Sequence, residues 1–343
     1  MRRLAVIRVD ASPIMGGGHA MRCLALADGL ADVGWHCIFA VRASTIETVP
    51  VFACSPHKVI SLEKDEADEE AELKRRIPEG CALLVVDHYG RDIRFESACR
   101  GWASTIMAVD DLANRRHDVD ILLDQTLNRL DADYRPLVPP SCRLLLGPQW
   151  AMLRPEFAAA RSSALARRDG LLRRLLVSLG ATDPRDVTSM VLRAVEQSGL
   201  DLAVDIALGS ASPNIVALRQ IVSASRGRVR LHENVRAMAE LMTEADLAVG
   251  ASGVSSWERC CLGLPTLAMV IADNQRLAIQ ALTLRGAVVA LGDWTEYSES
   301  GVVEALRSLA VDPKRLRGLA QAAAGACDGG GVERVTELLM ESL

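Results

Sequence analysis

At 343 residues the chain exceeds the size at which a single hydrophobic core stops growing, so two domains of ordinary size are expected. Half of the residues are apolar and only 3% are aromatic, a composition suited to buried parallel strands and the helices that cover them. The formal net charge is -5 and the basic residues are scattered, which excludes a basic face for nucleic acid and leaves any phosphate site to local backbone N–H groups and a few side chains.

The first apolar run, residues 4–9, is far too short for a signal-peptide core or a membrane span, so a cytoplasmic protein without stable membrane association is expected. A glycine-rich turn and an Ala/Leu/Met-rich helix over 19–31 follow. Strands are predicted over 37–41, 82–86, 105–109 and 121–123, separated by helical or charged segments such as the acidic stretch 63–72. Residues 149–174 are Arg/Ala-rich and weakly periodic and read as the passage between domains, dividing the chain into 1–155 and 156–343. Strands resume over 175–179, 202–208, 228–231, 247–249, 266–271 and 288–291, and a helical tail over 312–343, broken at Asp328-Gly329-Gly330-Gly331, is expected to cover the sheet. Repeated β-α alternation predicts two Rossmann-like α/β domains with parallel sheets, and a ligand cleft between them where the carboxyl ends of their strands face each other. Nine cysteines, without a C-x-x-C or a His-rich cluster at metal-ligand spacing, read as reduced core residues, and no metal is expected.

The turn after the first strand, Asp10-Ala11-Ser12-Pro13-Ile14-Met15-Gly16-Gly17-Gly18-His19, lets the backbone approach a ligand and puts unpaired N–H groups behind it. It matches neither G-x-G-x-x-G nor a P-loop. In a first helical turn His19 feels the positive end of the dipole, which favours the neutral imidazole, a competent base. A histidine that only hydrogen-bonds at the turn is the competing reading. Asp10 either orients the imidazole or ends the strand.

In the second half, Leu179-Gly180-Ala181-Thr182-Asp183-Pro184 opens a helix, as a phosphate loop or as a simple cap. The strongest block runs from Ala245 through Ser252-Gly253-Val254-Ser255-Ser256-Trp257-Glu258 to Ala272-Asp273-Asn274-Gln275. There a buried strand ends in a Ser/Gly turn and a helix starts near Val254, which suits a diphosphate, while Glu258 one turn on suits ribose hydroxyls or a capping box. Ser252 lacks G-x-S-x-G spacing, which argues against a serine hydrolase. Asp87-His88-Tyr89 and Asp110-Asp111-Leu112 follow apolar strands, as site acids or as loop caps.

Taken together, Arg8-Val9-Asp10, Gly16 to Cys23, Asp110-Asp111-Leu112, Asp124-Gln125, Ser252 to Gly263 and Ala272 to Gln275 resemble the UDP-2,4-diacetamido-2,4,6-trideoxy-β-L-altropyranose hydrolases of pseudaminic acid biosynthesis, relatives of the GT-B glycosyltransferases. The resemblance implies a GT-B-like fold, no metal or organic cofactor, and hydrolysis of the sugar–UDP bond with inversion at the anomeric carbon. It puts the catalytic base on His19, ribose recognition on Glu258, phosphate contacts on Ser255 and its neighbours, and nucleotide-sugar contact on Asn274. The expected UDP-sugar-binding set is Asp10, Gly16, Gly17, Gly18, Arg22, Tyr89, Gly180, Ser252, Ser255, Ser256, Glu258, Asn274 and Gln275. Ala181, Asp186 and Trp150 depart from the glycine, asparagine and tyrosine usual in the family, which bears on nucleotide affinity or sugar preference. A GT-B glycosyltransferase is the rival expectation, and a non-catalytic nucleotide-sugar-binding module the third.

Overall fold

The computed structural model describes residues 3–12, 15–63, 68–225, 227–293, 296 and 298–342, and only the backbone of Ala53 and Asn274. The chain forms two compact units, Met1–Arg154 with Gly330–Leu343, and Pro155–Gly329.

In the first unit β1 (Leu4–Val9), β2 (His36–Arg42), β3 (Lys58–Leu62), β4 (Cys81–Asp87), β5 (Ala103–Val109), β6 (Ile121–Asp124) and β7 (Arg143–Leu146) make one sheet in the order β3-β2-β1-β4-β5-β6-β7. Every pairing is parallel, and central β1 sets Ala5 beside Cys37 and Leu83. Both faces are buried, as parallel sheets require. Ala5, Ile7, Val9, Leu83 and Val85 point to one core, and Val6, Ala40, Leu84, Val86 and Ile106 to the other. β3 and β7 are absent from the predicted elements because each is a short edge strand. β3 alternates exposed and buried residues, and β7 fully buries only Leu145 of its four residues.

The tail does not stay with the second unit. Helix Gly331–Ser342 buries Val335, Leu338 and Leu339 in the core of the first unit, beside helix Gly18–Asp32. Gly29 allows that contact, since a side chain there would overlap Val332. The segment expected as an interdomain passage is helical over Pro155–Ala166 and belongs to the second unit, where Arg161 holds the carbonyls of Cys261, Ala324 and Cys327.

The second unit carries β8 (Arg174–Ser178), β9 (Ala203–Leu208), β10 (Val229–Glu233), β11 (Leu247–Ala251), β12 (Thr266–Val270) and β13 (Val288–Asp293), parallel throughout and ordered β10-β9-β8-β11-β12-β13. In each sheet the strand order reverses once, between β1 and β4 and between β8 and β11. At such a point the loops leaving the two strands diverge and open a crevice at their carboxyl ends. The glycine turn before His19 leaves β1 and Asp87 ends β4; Gly180 follows β8 and Ser252 follows β11.

All nine cysteines are free, eight of them buried and Cys54 exposed. Among the described residues no helix is long and apolar enough to cross a membrane.

Candidate functional site

His19 is the second residue of helix Gly18–Asp32, whose start has no side-chain cap and no acidic residue in its first turn. Gly16 takes a left-handed φ of 79° and its N–H bonds Ser12 O at 2.7 Å, closing the turn that delivers the helix. A Cβ on Gly17 would press on Val49 at 3.0 Å. Pro13 and Ile14 lie outside the described residues.

His19 is 9% exposed, and its Nδ1 lies 2.5 Å from Asp87 Oδ1. Arg22, one helical turn after His19, donates Nε and Nη2 to Asp87, each at 2.7 Å. Burial opposes ionisation of Asp87, but the Arg22 guanidinium and the His19 ring together hold it well below the usual carboxylate range. An ionised carboxylate only accepts, so Nδ1 carries the hydrogen and the lone pair of the neutral ring is on Nε2. Arg22 Nη2, 3.0 Å from Nδ1, is a second donor to the same Oδ1 oxygen. Among the described residues no hydrogen bond reaches Nε2. Tyr89 meets the imidazole in a T-shaped contact, 4.8 Å between centroids, and its hydroxyl donates to Asp111 at 2.9 Å. The ring is therefore fixed in tautomer and orientation, with a basic nitrogen to offer.

Asp10 does not orient His19. Its carboxylate is taken by Arg8 at 2.7 Å and by the Arg42 N–H at 2.8 Å. His88 Nδ1 accepts from the Gly90 N–H, so its hydrogen sits on Nε2, which lies 3.2 Å from Asp10. Behind Asp10, Arg8, Arg42 and Arg91 converge on the buried carboxylate of Glu69 with N···O distances of 2.6–3.0 Å. Burial pushes the Glu69 pKa up, and the hydrogen bonds from Arg91 and Arg8 outweigh it to leave about 2. Glu69 comes from the acidic stretch, of which residues 64–67 lie outside the described residues.

The two acids after β5 part company. Asp110 is 1% exposed and is tied to Arg115 at 2.6 Å, the Ala113 N–H at 2.9 Å and the Tyr134 hydroxyl at 2.8 Å, which makes it a loop clamp. Asp111 faces Tyr89 and lies 3.7 Å from Arg22 Nη1. Among the described residues no group of three or more His, Cys, Asp or Glu side chains is placed to hold a metal ion.

In the second unit, two helices start at the reversal between β8 and β11, and their starts are built differently. After β8, Gly180 is left-handed at φ 96°, and the helix begins at Val187 rather than at Pro184, because Asp183 and Asp186 also take left-handed φ. The Asp183 carboxylate accepts from Val187 N–H at 3.1 Å and Thr188 N–H at 2.8 Å, so the chain itself occupies that start. The Gly180 turn is thus a cap in its local chemistry. After β11, by contrast, helix Val254–Cys261 begins at Gly253 with no side-chain cap. The Ser252 and Ser256 side chains turn inward, with Ser256 donating to Ser252 at 3.2 Å, while Ser255 and Glu258 are half-buried. Gln275 is held locally, its side chain accepting from the Ile271 N–H at 3.0 Å, and the Asn274 side chain lies outside what is described.

His19, Arg22, Tyr89, Asp87 and Asp111 thus come together in the first unit, and Ser252, Ser255, Ser256 and Glu258 on one helix start in the second. Arg22, expected as a substrate contact, is 2% exposed and donates Nε and Nη2 to Asp87. Sequence reasoning left the role of Asp87 open and overlooked Arg259. Arg259 donates to the Ala251 carbonyl at 2.6 Å and to the Ser255 and Ser256 hydroxyls at 3.2 and 3.1 Å. Its signal was present in the spacing, since it stands three and four residues after Ser256 and Ser255, where a helical side chain reaches back over the preceding turn.

No family model matches the chain. It is 26% identical over 331 residues to the spore coat polysaccharide biosynthesis protein SpsG of Bacillus subtilis, spanning 95% of this chain and 94% of that protein. It is 27% identical over 292 residues to the UDP-2,4-diacetamido-2,4,6-trideoxy-β-L-altropyranose hydrolase of Campylobacter jejuni, spanning 82% and 96%. Identity reaches 30% over 285 residues with the UDP-N-acetylglucosamine–N-acetylmuramyl-(pentapeptide) pyrophosphoryl-undecaprenol N-acetylglucosamine transferase of Sorangium cellulosum, spanning 80% and 67%. Among solved structures, MurG of Acinetobacter baumannii superposes with a TM-score of 0.64 at 14% identity over 99% of each chain, and S. aureus MnaA with UDP with 0.67 at 15% over 100% and 97%. These two share the fold, with two parallel-sheet α/β domains. With 30% identity to the N-acetylglucosamine transferase over two thirds of its length, on two such domains, the chain belongs to the GT-B superfamily.

Proposed function

We propose that the protein is an enzyme that hydrolyses a UDP-linked sugar at its anomeric carbon, with His19 as the base that activates water. The observation that carries the reading is the His19–Asp87 pair, with Nδ1–H held by an ionised carboxylate and Nε2 free of any described partner. In the proposed step Nε2 takes a proton from water as the water oxygen bonds to the anomeric carbon. The bond from that carbon to the β-phosphate oxygen breaks with both electrons on UDP, and the configuration inverts. Asp87 stabilises the imidazolium as it forms and stays ionised. UDP is a stable leaving group, so the reaction needs its diphosphate held more than it needs an acid, and the uncapped start of helix Val254–Cys261 suits that task. Glu258, one turn further, suits the ribose hydroxyls. We take the substrate to be a diacetamido-trideoxyhexose on UDP, as for the Campylobacter relative.

The identity to the Sorangium transferase favours a second reading, in which the same base takes its proton from an acceptor hydroxyl. Incubation with candidate UDP-sugars and no acceptor separates the two. Hydrolysis predicts steady UDP release; release only on addition of an acceptor would establish transfer.

A further inference from the structure

We propose that Arg259 is a positioning residue for a phosphate or diphosphate group at the start of helix Val254–Cys261, acting through the hydroxyls of Ser255, Ser256 and Ser252; the role rests on the UDP-sugar reading above. Arg259 is 2% exposed, its guanidinium hydrogen-bonds hydroxyls and a carbonyl and no carboxylate among the described residues, and its Nε has no hydrogen-bond partner among them. A cation taken out of water with no carboxylate hydrogen-bonded to it is costly, and the site that holds it gains most when an anion arrives.

The hydrogen-bond directions say where that anion belongs. A serine oxygen that accepts from the guanidinium keeps its own hydrogen to give away. Ser255, 3.2 Å from Nη1, has its hydrogen left to donate. Ser256 accepts from Nη2 at 3.1 Å and passes its hydrogen to Ser252 at 3.2 Å, which leaves the Ser252 hydrogen to donate in turn. Each link polarises the next, so the buried charge reaches the turn as two oriented hydroxyls beside the uncapped helix N–H groups. Burial draws the Arg259 pKa down to about 10, still high enough to keep it charged at neutral pH. Gly250 makes the room, since a Cβ there would lie 2.7 Å from Nη1, which accounts for a glycine inside a buried strand. A neutral sugar or base draws little from this arrangement. A phosphate dianion draws on all of it.

Calorimetric titration of the full-length protein with UDP, uridine and inorganic pyrophosphate tests the role. Arg259→Met should weaken UDP and pyrophosphate by about 30-fold or more while uridine changes by no more than about 3-fold, and Arg259→Lys should recover part of the loss. Native affinity for UDP in Arg259→Met overturns the proposal, as does an equal loss of uridine, which would mark Arg259 as mere packing for the helix. Pyrophosphate binding that depends on Arg259, in a protein that ignores UDP, would support the anion site and remove the UDP-sugar reading alone. Binding of neither UDP nor pyrophosphate to native protein would remove both. If circular dichroism shows Arg259→Met unfolded, Gly250→Ala carries the test, because it displaces the guanidinium but keeps its charge. It should weaken UDP about 10-fold with uridine unchanged, and unchanged UDP affinity would contradict the proposal.

Discussion

The reversal points of the two sheets share a topology and differ in their electrostatics. Between β1 and β4 nearly every charge has its opposite: Arg22 with Asp87, Arg8 with Asp10 and Glu69, Arg42 and Arg91 with Glu69. Between β8 and β11 the buried Arg259 faces hydroxyls and a carbonyl instead. On the proposed function, the difference matches what each place would do. A base must hold one proton in one tautomer, which takes fixed and balanced charges around the imidazole. An anion site must keep its donors unspent until the ligand comes. The second unit contains its own control, since the helix start at Val187 spends its N–H groups on Asp183.

Among the substitutions that test this charge balance, the largest effect is expected from Asp87→Asn. An amide can donate to Nδ1, which moves the ring hydrogen to Nε2 and removes the base, so turnover should drop about 100-fold or more while UDP affinity stays as it was. Steady-state kinetics with UDP titration reads both. Unchanged turnover would mean that the charge balance of the first unit has no part in proton transfer.

Glu69→Gln tests the same balance through stability. It leaves Arg8, Arg42 and Arg91 without their shared carboxylate and should cost about 3–5 kcal/mol in denaturant unfolding. The Glu69 pKa is depressed on folding, from 4.5 to about 2, so its contribution is complete above the unfolded value and is lost as pH falls through the folded one. Native protein should lose stability between about pH 5 and 2, and the variant should lose less over that window. Equal slopes would refute the assignment.

The smallest effect belongs to the control. Asp183→Ala should destabilise by about 1 kcal/mol through loss of the cap, with UDP affinity unchanged. A change in UDP affinity as large as that expected for Arg259→Met would make the Val187 helix start a phosphate site after all.

What could be read in advance was local. β1, the glycine turn with His19 and the helix start at Val254 each combine an apolar run with glycines and a helical pattern inside a few residues. What could not be read depends on which strands become neighbours. Asp87 ends a different strand from the one His19 follows and meets it only because β4 pairs with β1. Glu69 sits in a run of acids that looks like a solvated face, yet three arginines from three separate segments turn it inward. The final helix carries an amphipathic pattern that fits either sheet, and only the groove beside Gly29 assigns it to the first. Arg259 was hidden because a cation one turn into a helix usually lies in solvent.

The central claim is that His19 aims water at the anomeric carbon, and turnover in H2-18O tests it most directly. The account predicts acceptor-free release of UDP with the heavy oxygen on the sugar. In His19→Ala it predicts a fall of about 100- to 10,000-fold in rate at native UDP affinity. Label found in UDP instead, or a His19→Ala variant as fast as the native protein, would contradict it.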